Sequence, residues 1–444
     1  MSTEAKQASR NASRVRLRVP DRSQVEMKFQ CVEDLLPASH PARTVWAVSQ
    51  RLDMSGFEKP IKAREGVAGR DATAPHLLFA LWLYATTQGV GSARKLARLC
   101  RKHDDYKWLC GDVTVNHRML SDFRTDHGQA LDDLLTTVVA SLVDKELVKV
   151  HRISQDGTRV RACAGAASFR REERLDQLLA QARAHVQALK AMLADPAASG
   201  GLSARQKAAR RRVARERVER LEAAVAQLPQ LKAKQEQAVK KAGQGKRGQS
   251  LREKQPRVSS TDPEARVMKM PNGGFNPAVN VQLAVDTESR AIVGVAVCNE
   301  GSDSADLSGP MRQQVERRTG RKVQAHLLDG GYLKLQDIEK AQADSVELFV
   351  PPKQARREQD RGHELDVRAG DSEAIVQWKE RMSSESGKAV YRQRAATSET
   401  VNADLKTHRG LVQLTVRGLA KAKCVALWCA LAYNVMHFAG SLLS

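Results

Sequence analysis

Asp156, Asp329 and Glu399 are the residues of this 444-residue sequence whose types and settings suit chemistry. Asp156 lies in Ser154-Gln155-Asp156-Gly157-Thr158 and Asp329 in Leu327-Leu328-Asp329-Gly330-Gly331-Tyr332, each at the end of an expected strand. Glycine at such an edge lets the backbone and a bulky ligand approach each other closely. An Asp-Gly step alone is only a turn, and the third acid sharpens the pattern. Glu399 sits on an expected helix among Tyr391, Arg392, Arg394 and Lys406, with Lys406 seven residues on and so on the same helical face. Three carboxylates drawn from two strands and a helix form an all-oxygen donor set for hard divalent cations. A pair of such ions activates water or a 3′-hydroxyl and steadies the leaving oxygen in phosphodiester displacement. Basic neighbours then hold the flanking phosphates.

Other polar residues read as structural. Asp286 follows a strand and suits a turn, while Asp303 or Asp306 suits a helix N-cap. Glu380 and Glu385 lack a neighbouring Tyr and Arg pattern. His326, on the strand that ends at Asp329, reads as a packed strand histidine, and Trp378 and Trp428 as core residues.

The elements that must position the acids follow from periodicity. Residues 1–150 read as helical, with an apolar run at Ala74–Ala85 and helical spacing over Leu131–Leu147. Several short helices with basic ends suit a helix-turn-helix-like module. Val148–Val160 alternates as a strand. Apolar residues at 175, 179, 182, 186, 189 and 193, then at 214, 218, 221, 225 and 228, form two heptad seams separated by Pro196 and Gly200, which predicts an antiparallel helical hairpin. Residues 243–250 read as a mobile basic linker. Asn280–Val285 and Ala291–Cys298 predict an antiparallel hairpin, and a helix (304–318), strand (322–328), helix (333–343) and strand (346–350) then imply a parallel addition to the sheet. Val425–Leu443 is apolar enough to test as a membrane span, but Asn434 and His437 share one stripe of it, so it reads as a buried helix.

Charge limits the partners. Lys and Arg number 73 against 51 Asp and Glu, a formal net charge of +22. Residues 170–257 hold 22 basic against 9 acidic residues. A polyanion is the natural partner of such a surface, and neutral small-molecule work is disfavoured. Seven cysteines without a CxxC pair give no zinc ribbon or disulfide framework, and the first thirty residues hold no secretory signal, so a cytoplasmic setting is expected.

Taken together, the residues resemble the DDE transposases of bacterial insertion sequences. Asp156-Gly157-Thr158-Arg159-Val160-Arg161-Ala162 resembles that family's first-aspartate strand, Ser260–Val267 with Asn280-Val281-Gln282 its next stretch, and Asp329-Gly330-Gly331-Tyr332 its second-aspartate motif. Tyr391, Arg394, Glu399 and Lys406 resemble its Tyr, Arg, Glu, Lys signature, followed by Arg417-Gly418-Leu419 and the helix of Ala432-Tyr433-Asn434. Gly91–Arg94, Asn116-His117 and Phe123-Arg124 resemble the helical region before such cores. Gly330 stands where lysine is frequent, and Val115 precedes Asn116-His117 where a Pro-Asp-His run is usual. The resemblance implies an α/β ribonuclease H-like core, a mixed sheet flanked by helices, with an all-α N-terminal domain and an inserted antiparallel helical hairpin. The expected divisions are a flexible 1–20, a helical DNA-binding domain at 21–147, a catalytic domain at 148–169 and 258–444, and a basic insertion at 170–257.

It further implies that Asp156, Asp329 and Glu399 are catalytic and bind two Mg²⁺ ions, with Mn²⁺ as substitute. Tyr391, Arg394 and Lys406, with Arg392 as an alternative arginine on the Glu399 face, would hold phosphates. The expected partners are double-stranded DNA, as transposon ends and target, and a second copy of the chain in a DNA-bound homodimer; no membrane is implied. The expected setting is the bacterial cytoplasm and its nucleoid. A nuclease of the same fold without strand transfer, or a non-catalytic DNA-binding or nucleoid protein, remains the alternative.

Overall fold

The structure, a computed structural model, describes residues 23, 25, 27, 29–66, 68–301, 307–353 and 362–444. Asp303 and Asp306 lie outside these residues, as do 1–20. The strands are β1 (Arg152–Arg161), β2 (Phe169–Arg170), β3 (Val258–Ser259), β4 (Arg266–Lys269), β5 (Phe275–Asp286), β6 (Ile292–Cys298), β7 (Ala325–Leu328) and β8 (Glu347–Phe349). β1 runs antiparallel to β5 and parallel to β7, and β8 is parallel to β7. On its other side β5 pairs antiparallel with β4 near its start and with β6 further on, giving a six-stranded mixed sheet.

The helices before β1 are α1 (Pro41–Arg51), α2 (Ser55–Glu58), α3 (Pro75–Thr87), α4 (Ala93–Lys102), α5 (Asp104–Cys110), α6 (His117–Thr125) and α7 (Gly128–Asp144). Between β2 and β3 lie α8 (Glu172–Ala194), α9 (Pro196–Ser199), α10 (Ala204–Ala226), α11 (Leu228–Ala242) and α12 (Lys246–Glu253). α13 (Ser308–Thr319) and α14 (Leu335–Ala343) precede β7 and β8 respectively. The chain closes with α15 (Glu373–Ser383), α16 (Glu385–Arg394), a π-helical turn (Ala395–Glu399), α17 (Thr400–Thr407), α18 (Leu419–His437) and α19 (Ala439–Leu443).

One apolar core runs from Leu36 to Val435, so the helices before β1 and the sheet share it. α18 is its central pillar. It is long and apolar enough to cross a membrane, yet 72% of its apolar window is buried in the protein. Asn434, in that apolar stretch, exchanges two 2.9 Å hydrogen bonds with the backbone of Ile292 on β6. Its N-terminus is capped by the Ser260–Val267 stretch: Gly418 N donates to Asp262 and Leu419 N to Glu264 Oε2 at 2.9 Å. Arg124 is buried under the same helix, over the Trp82 ring, and donates to Thr415 Oγ1 and Gly91 O. Phe123-Arg124 and the capping stretch are therefore joints of the core.

α8 and α10 pack together around a separate small core of Leu175, Leu179, Ala182, Leu221, Ala224, Leu228 and Val258. The expected mobile linker at 243–250 is instead largely helical, in α12. Its sequence has no apolar periodicity; a long-range contact holds it, since the Gln235 amide donates to the carbonyls of Leu251 and Lys254. Pro229 falls in the first turn of α11, where no N–H is needed. β4 alternates in burial, but its inward positions are Arg266 and Met268 and its outward ones Val267 and Lys269, so the residue types do not mark it as a strand. Asp286 is a turn residue, accepting from Val150 N, Ser289 N and Ser289 Oγ.

Asp132 on α7 ties three helices, meeting Arg318 of α13 and Lys423 of α18, the latter at 2.8 Å. Arg318 is almost fully buried, so removing its partner strands a charge. Asp132→Ala is expected to lower stability by about 3–5 kcal/mol in denaturant unfolding. Arg317→Ala, on the exposed side of α13, should change it by less than about 0.5 kcal/mol.

Candidate active site

The parallel register of β1 and β7 places two of the acids. It pairs Gln155 with Leu328, and one step further along the two strands come Asp156 and Asp329. Neighbours in parallel register point to the same face, so the two carboxylates stand side by side and repel. The loop after Asp329 is fastened to the sheet by Tyr332, whose hydroxyl donates to Gln282 Oε1 on β5; Gln155 Nε2 donates to the same atom at 3.1 Å. Thus Tyr332 of the Asp-Gly-Gly-Tyr run and Gln282 of the Asn-Val-Gln run support the site rather than enter it. A Cβ on Gly330 would meet Pro351 Cγ at 3.3 Å, so glycine suits this close approach.

The third acid comes from the helix. The guanidinium of Arg394 lies between the three carboxylates, 3.5 Å from Asp156 Oδ1, 3.8 Å from Asp329 Oδ1 and 3.8 Å from Glu399 Oε1. Arg394 and Glu399 are five residues apart, which on an α-helix would separate them by about 140°. The π turn at Ala395–Glu399 resolves this, because its i→i+5 bonding widens the turn beyond the 3.6 residues of an α-helix and brings Glu399 back toward the Arg394 face.

Tyr391 and Lys406 join the cluster. Burial raises the Tyr391 hydroxyl pKa, while Arg394 beside it pulls the other way. Burial would lower the Arg394 pKa, but the charges of Tyr391, Asp156 and Asp329 outweigh it and raise the value. Burial lowers the Lys406 pKa, and the Asp156 carboxylate partly opposes that. Arg392 is not part of the cluster; it is exposed and turned toward Glu385 at 3.8 Å. Glu385 thus has an arginine beside it after all. His326 is fully buried, its pKa held well below the usual value by burial and then by Arg312. Trp378 and Trp428 are core residues, donating to the carbonyls of Val350 and Arg124.

Sequence reasoning missed Asn402. Its Nδ2 donates to Asp156 Oδ2 at 2.9 Å. The available signal was spacing: Asn402 is three residues after Glu399 and four before Lys406, on the same helical face.

Among the described residues no group of three or more His, Cys, Asp and Glu is gathered closely enough to hold an ion as it stands. At the triad the carboxylates surround a guanidinium instead of one another. The donor set still suits a divalent ion: three carboxylates, all hard oxygen donors, already face one positive group. Glu399 is 65% exposed and Asp329 46%, against 20% for Asp156, so the cluster is open to a large substrate on the Glu399 side.

The family described as Transposase DDE domain matches residues 231–435, and the family described as Transposase domain (DUF772) matches residues 30–126. The first range includes Asp329, Tyr391, Arg394, Glu399 and Lys406 and begins after Asp156; the second covers α1 to α6. No curated protein and no solved structure gives a match. A mixed sheet carrying acids at neighbouring strands, in a chain that two transposase families match, defines a nucleic-acid-processing enzyme with a ribonuclease H-like core. The chain belongs to the DDE-type transposases of insertion sequences.

Because the π turn holds one residue more than an α turn, removing one should preserve the face. Deleting Ala396, which is exposed, is expected to turn the segment into continuous α-helix with Arg394 and Glu399 still aligned, leaving melting temperature and cleavage within about threefold of the parent. Inserting an alanine there should swing Glu399 by about 100° and abolish cleavage. Loss of cleavage on deletion would show that the π turn does more than keep register.

Proposed function

We propose that the chain binds the two ends of its insertion sequence, hydrolyses a phosphodiester at each to free a 3′-hydroxyl, and transfers that strand to target DNA. The observation that carries this reading is the meeting of Asp156, Asp329 and Glu399, from two strands and a helix, around one guanidinium. Asp156, Asp329 and Glu399 would hold the divalent ions, Mg²⁺ with Mn²⁺ as substitute. When bound, a pair of such ions activates the attacking oxygen and stabilises the leaving one. Arg394, released from the carboxylates, meets a phosphate with its planar fork. Lys406 adds a point charge, and Tyr391 beside Arg394 helps keep the guanidinium charged. Water and then the freed 3′-hydroxyl are the successive nucleophiles of one site.

DNA binding belongs to two basic surfaces. α10 carries eight Lys and Arg against three Glu, and α4 exposes Arg94, Lys95, Arg98, Arg101 and Lys102. α6 and α10 meet at a cleft lined by His117, Arg118, Ser121, Asp122, Arg212 and Glu216, so the hairpin lies beside the helices that precede the core. Joining two ends calls for two copies of the chain, hence a DNA-bound homodimer acting in the cytoplasm on the nucleoid.

The test is a labelled duplex carrying the element's ends with Mg²⁺. The parent protein is expected to cut and join; Asp329→Ala and Glu399→Ala should bind the DNA equally well and lose about 1000-fold or more in rate, as loss of several kcal/mol of metal stabilisation requires. A pre-cut 3′-hydroxyl end separates strand transfer from hydrolysis. Cutting without joining of that end would leave a nuclease.

Salt dependence tests the surface. Replacing the exposed Arg205, Arg210, Arg211 and Arg217 with Gln should make the slope of log K against log salt shallower by about 0.9 for each DNA phosphate that these arginines neutralise in the parent. An unchanged slope would exclude α10 as a phosphate-binding element.

A further inference from the structure

β1 and the Glu399 helix are joined by three polar contacts in register. Arg152, Ser154 and Asp156 alternate along β1 and so share one face. Arg152 donates to Gln393 Oε1 at 2.7 Å, the hydroxyls of Ser154 and Ser398 share a buried hydrogen bond at 2.5 Å, and Asn402 donates to Asp156 Oδ2 at 2.9 Å. Two strand residues rise about 6.6 Å and one helical turn about 5.4 Å, so each rung of strand meets one turn of helix. The step from 393 to 398 is five residues, across the π turn, and the step from 398 to 402 is four.

The last rung touches the reacting centre. A carboxylate only accepts, so the Asn402 amide must present its nitrogen to Asp156. With Oδ2 held there, Asp156 turns Oδ1 toward Arg394 and the other two acids. Asn402 is buried, and its own Oδ1 has no hydrogen-bond partner. A lone buried acceptor is costly, and an apolar residue would avoid that cost if packing were the purpose. We propose that Asn402 is a positioning residue for phosphodiester chemistry, fixing the Asp156 carboxylate so that Oδ1 faces the divalent ions held with Asp329 and Glu399. This rests on the reading of those three acids as the metal ligands.

The test uses the full chain without DNA, with Mn²⁺ binding followed by the electron paramagnetic resonance signal of the free ion. The parent should bind and Asp329→Ala should not. Asn402→Ala and the larger, space-filling Asn402→Leu are expected to bind at least about tenfold more weakly while melting within a few degrees of the parent, the size of loss typical when a ligand's orienting partner is removed. In the cleavage assay both should need more Mg²⁺ for half-saturation and regain most of the parent rate at high Mg²⁺. If Asp329→Ala abolishes binding but both Asn402 variants bind within twofold of the parent, Asn402 does not position Asp156. If Asp329→Ala binds like the parent, the metal reading itself fails. If both Asn402 variants lose the fold by circular dichroism, the residue is structural and the proposal is wrong.

Discussion

Two carboxylates brought next to each other, Asp156 midway along β1 and Asp329 just past the end of the parallel β7, are the constraint around which this molecule is arranged. The β1–β7 pairing ends at Gln155 and Leu328, which brings Asp156 and Asp329 next to each other one residue further on. Their repulsion must be met by positive charge brought from elsewhere in the chain. Arg394 supplies it from a helix, and that helix must then be located relative to the sheet within a fraction of a side-chain length. The remainder of the core can be understood as what makes this possible. α18 fills the interior, its end is capped by Asp262 and Glu264, and Arg124 and Asp132 lock the preceding helices against it.

The helix faces a conflicting demand. Tyr391, Arg394, Glu399 and Lys406 must all reach one centre, but steps of three, five and seven residues do not fall on one face of a regular α-helix. The local solution is a π turn, which is uncommon because its hydrogen-bond geometry is poorer than that of an α-helix. The buried Ser154–Ser398 bond lies in the same stretch and fastens the turn to β1, so a tertiary contact compensates for local weakness.

The sequence made the alternating and periodic elements legible. β1, the β5–β6 hairpin and the β7–β8 addition stand out because buried strands need apolar alternation or runs. The Asp-Gly step marked both acids, but only Asp329 closes a strand: Asp156, expected at a strand end, lies within β1, because pairing with β5 carries the strand on through Gly157 to Arg161. Likewise, Leu175, Leu179, Ala182, Leu221 and Leu228, which fall on the heptad seams, are the residues the two long helices bury. What could not be read depends on partners far away in the chain. Asn402 meets a residue 246 positions earlier, and α12 is held by a glutamine from the preceding helix. Asp262, Glu264 and Arg124 looked like family signatures, but their hydrogen bonds make them caps and joints of the core. Arg392 shared the expected face with Glu399 only if the helix were regular, and the π turn removes that premise.

The arrangement of the helices between β2 and β3 follows from the same constraint. A segment of nearly ninety residues interrupts the chain just after the strand that bears Asp156, where a disturbance would be felt most. Its two ends are brought together at once: β2 pairs with β3, Ser168 Oγ meets Ser259 Oγ at 2.7 Å, and Ser260 N donates to Ser168 O. Beyond this clasp the hairpin buries its own small core, so the entropy of closing the loop is settled locally and the β1 register is left alone. The clasp also leaves the charge where it can act. The exposed arginines of α10 lie beside α6, while Asp156 and Asp329 share the single positive charge of Arg394. A basic surface and an acidic centre thus occur in one protein, the first on the helices between β2 and β3 and the second where β1, β7 and the π turn meet.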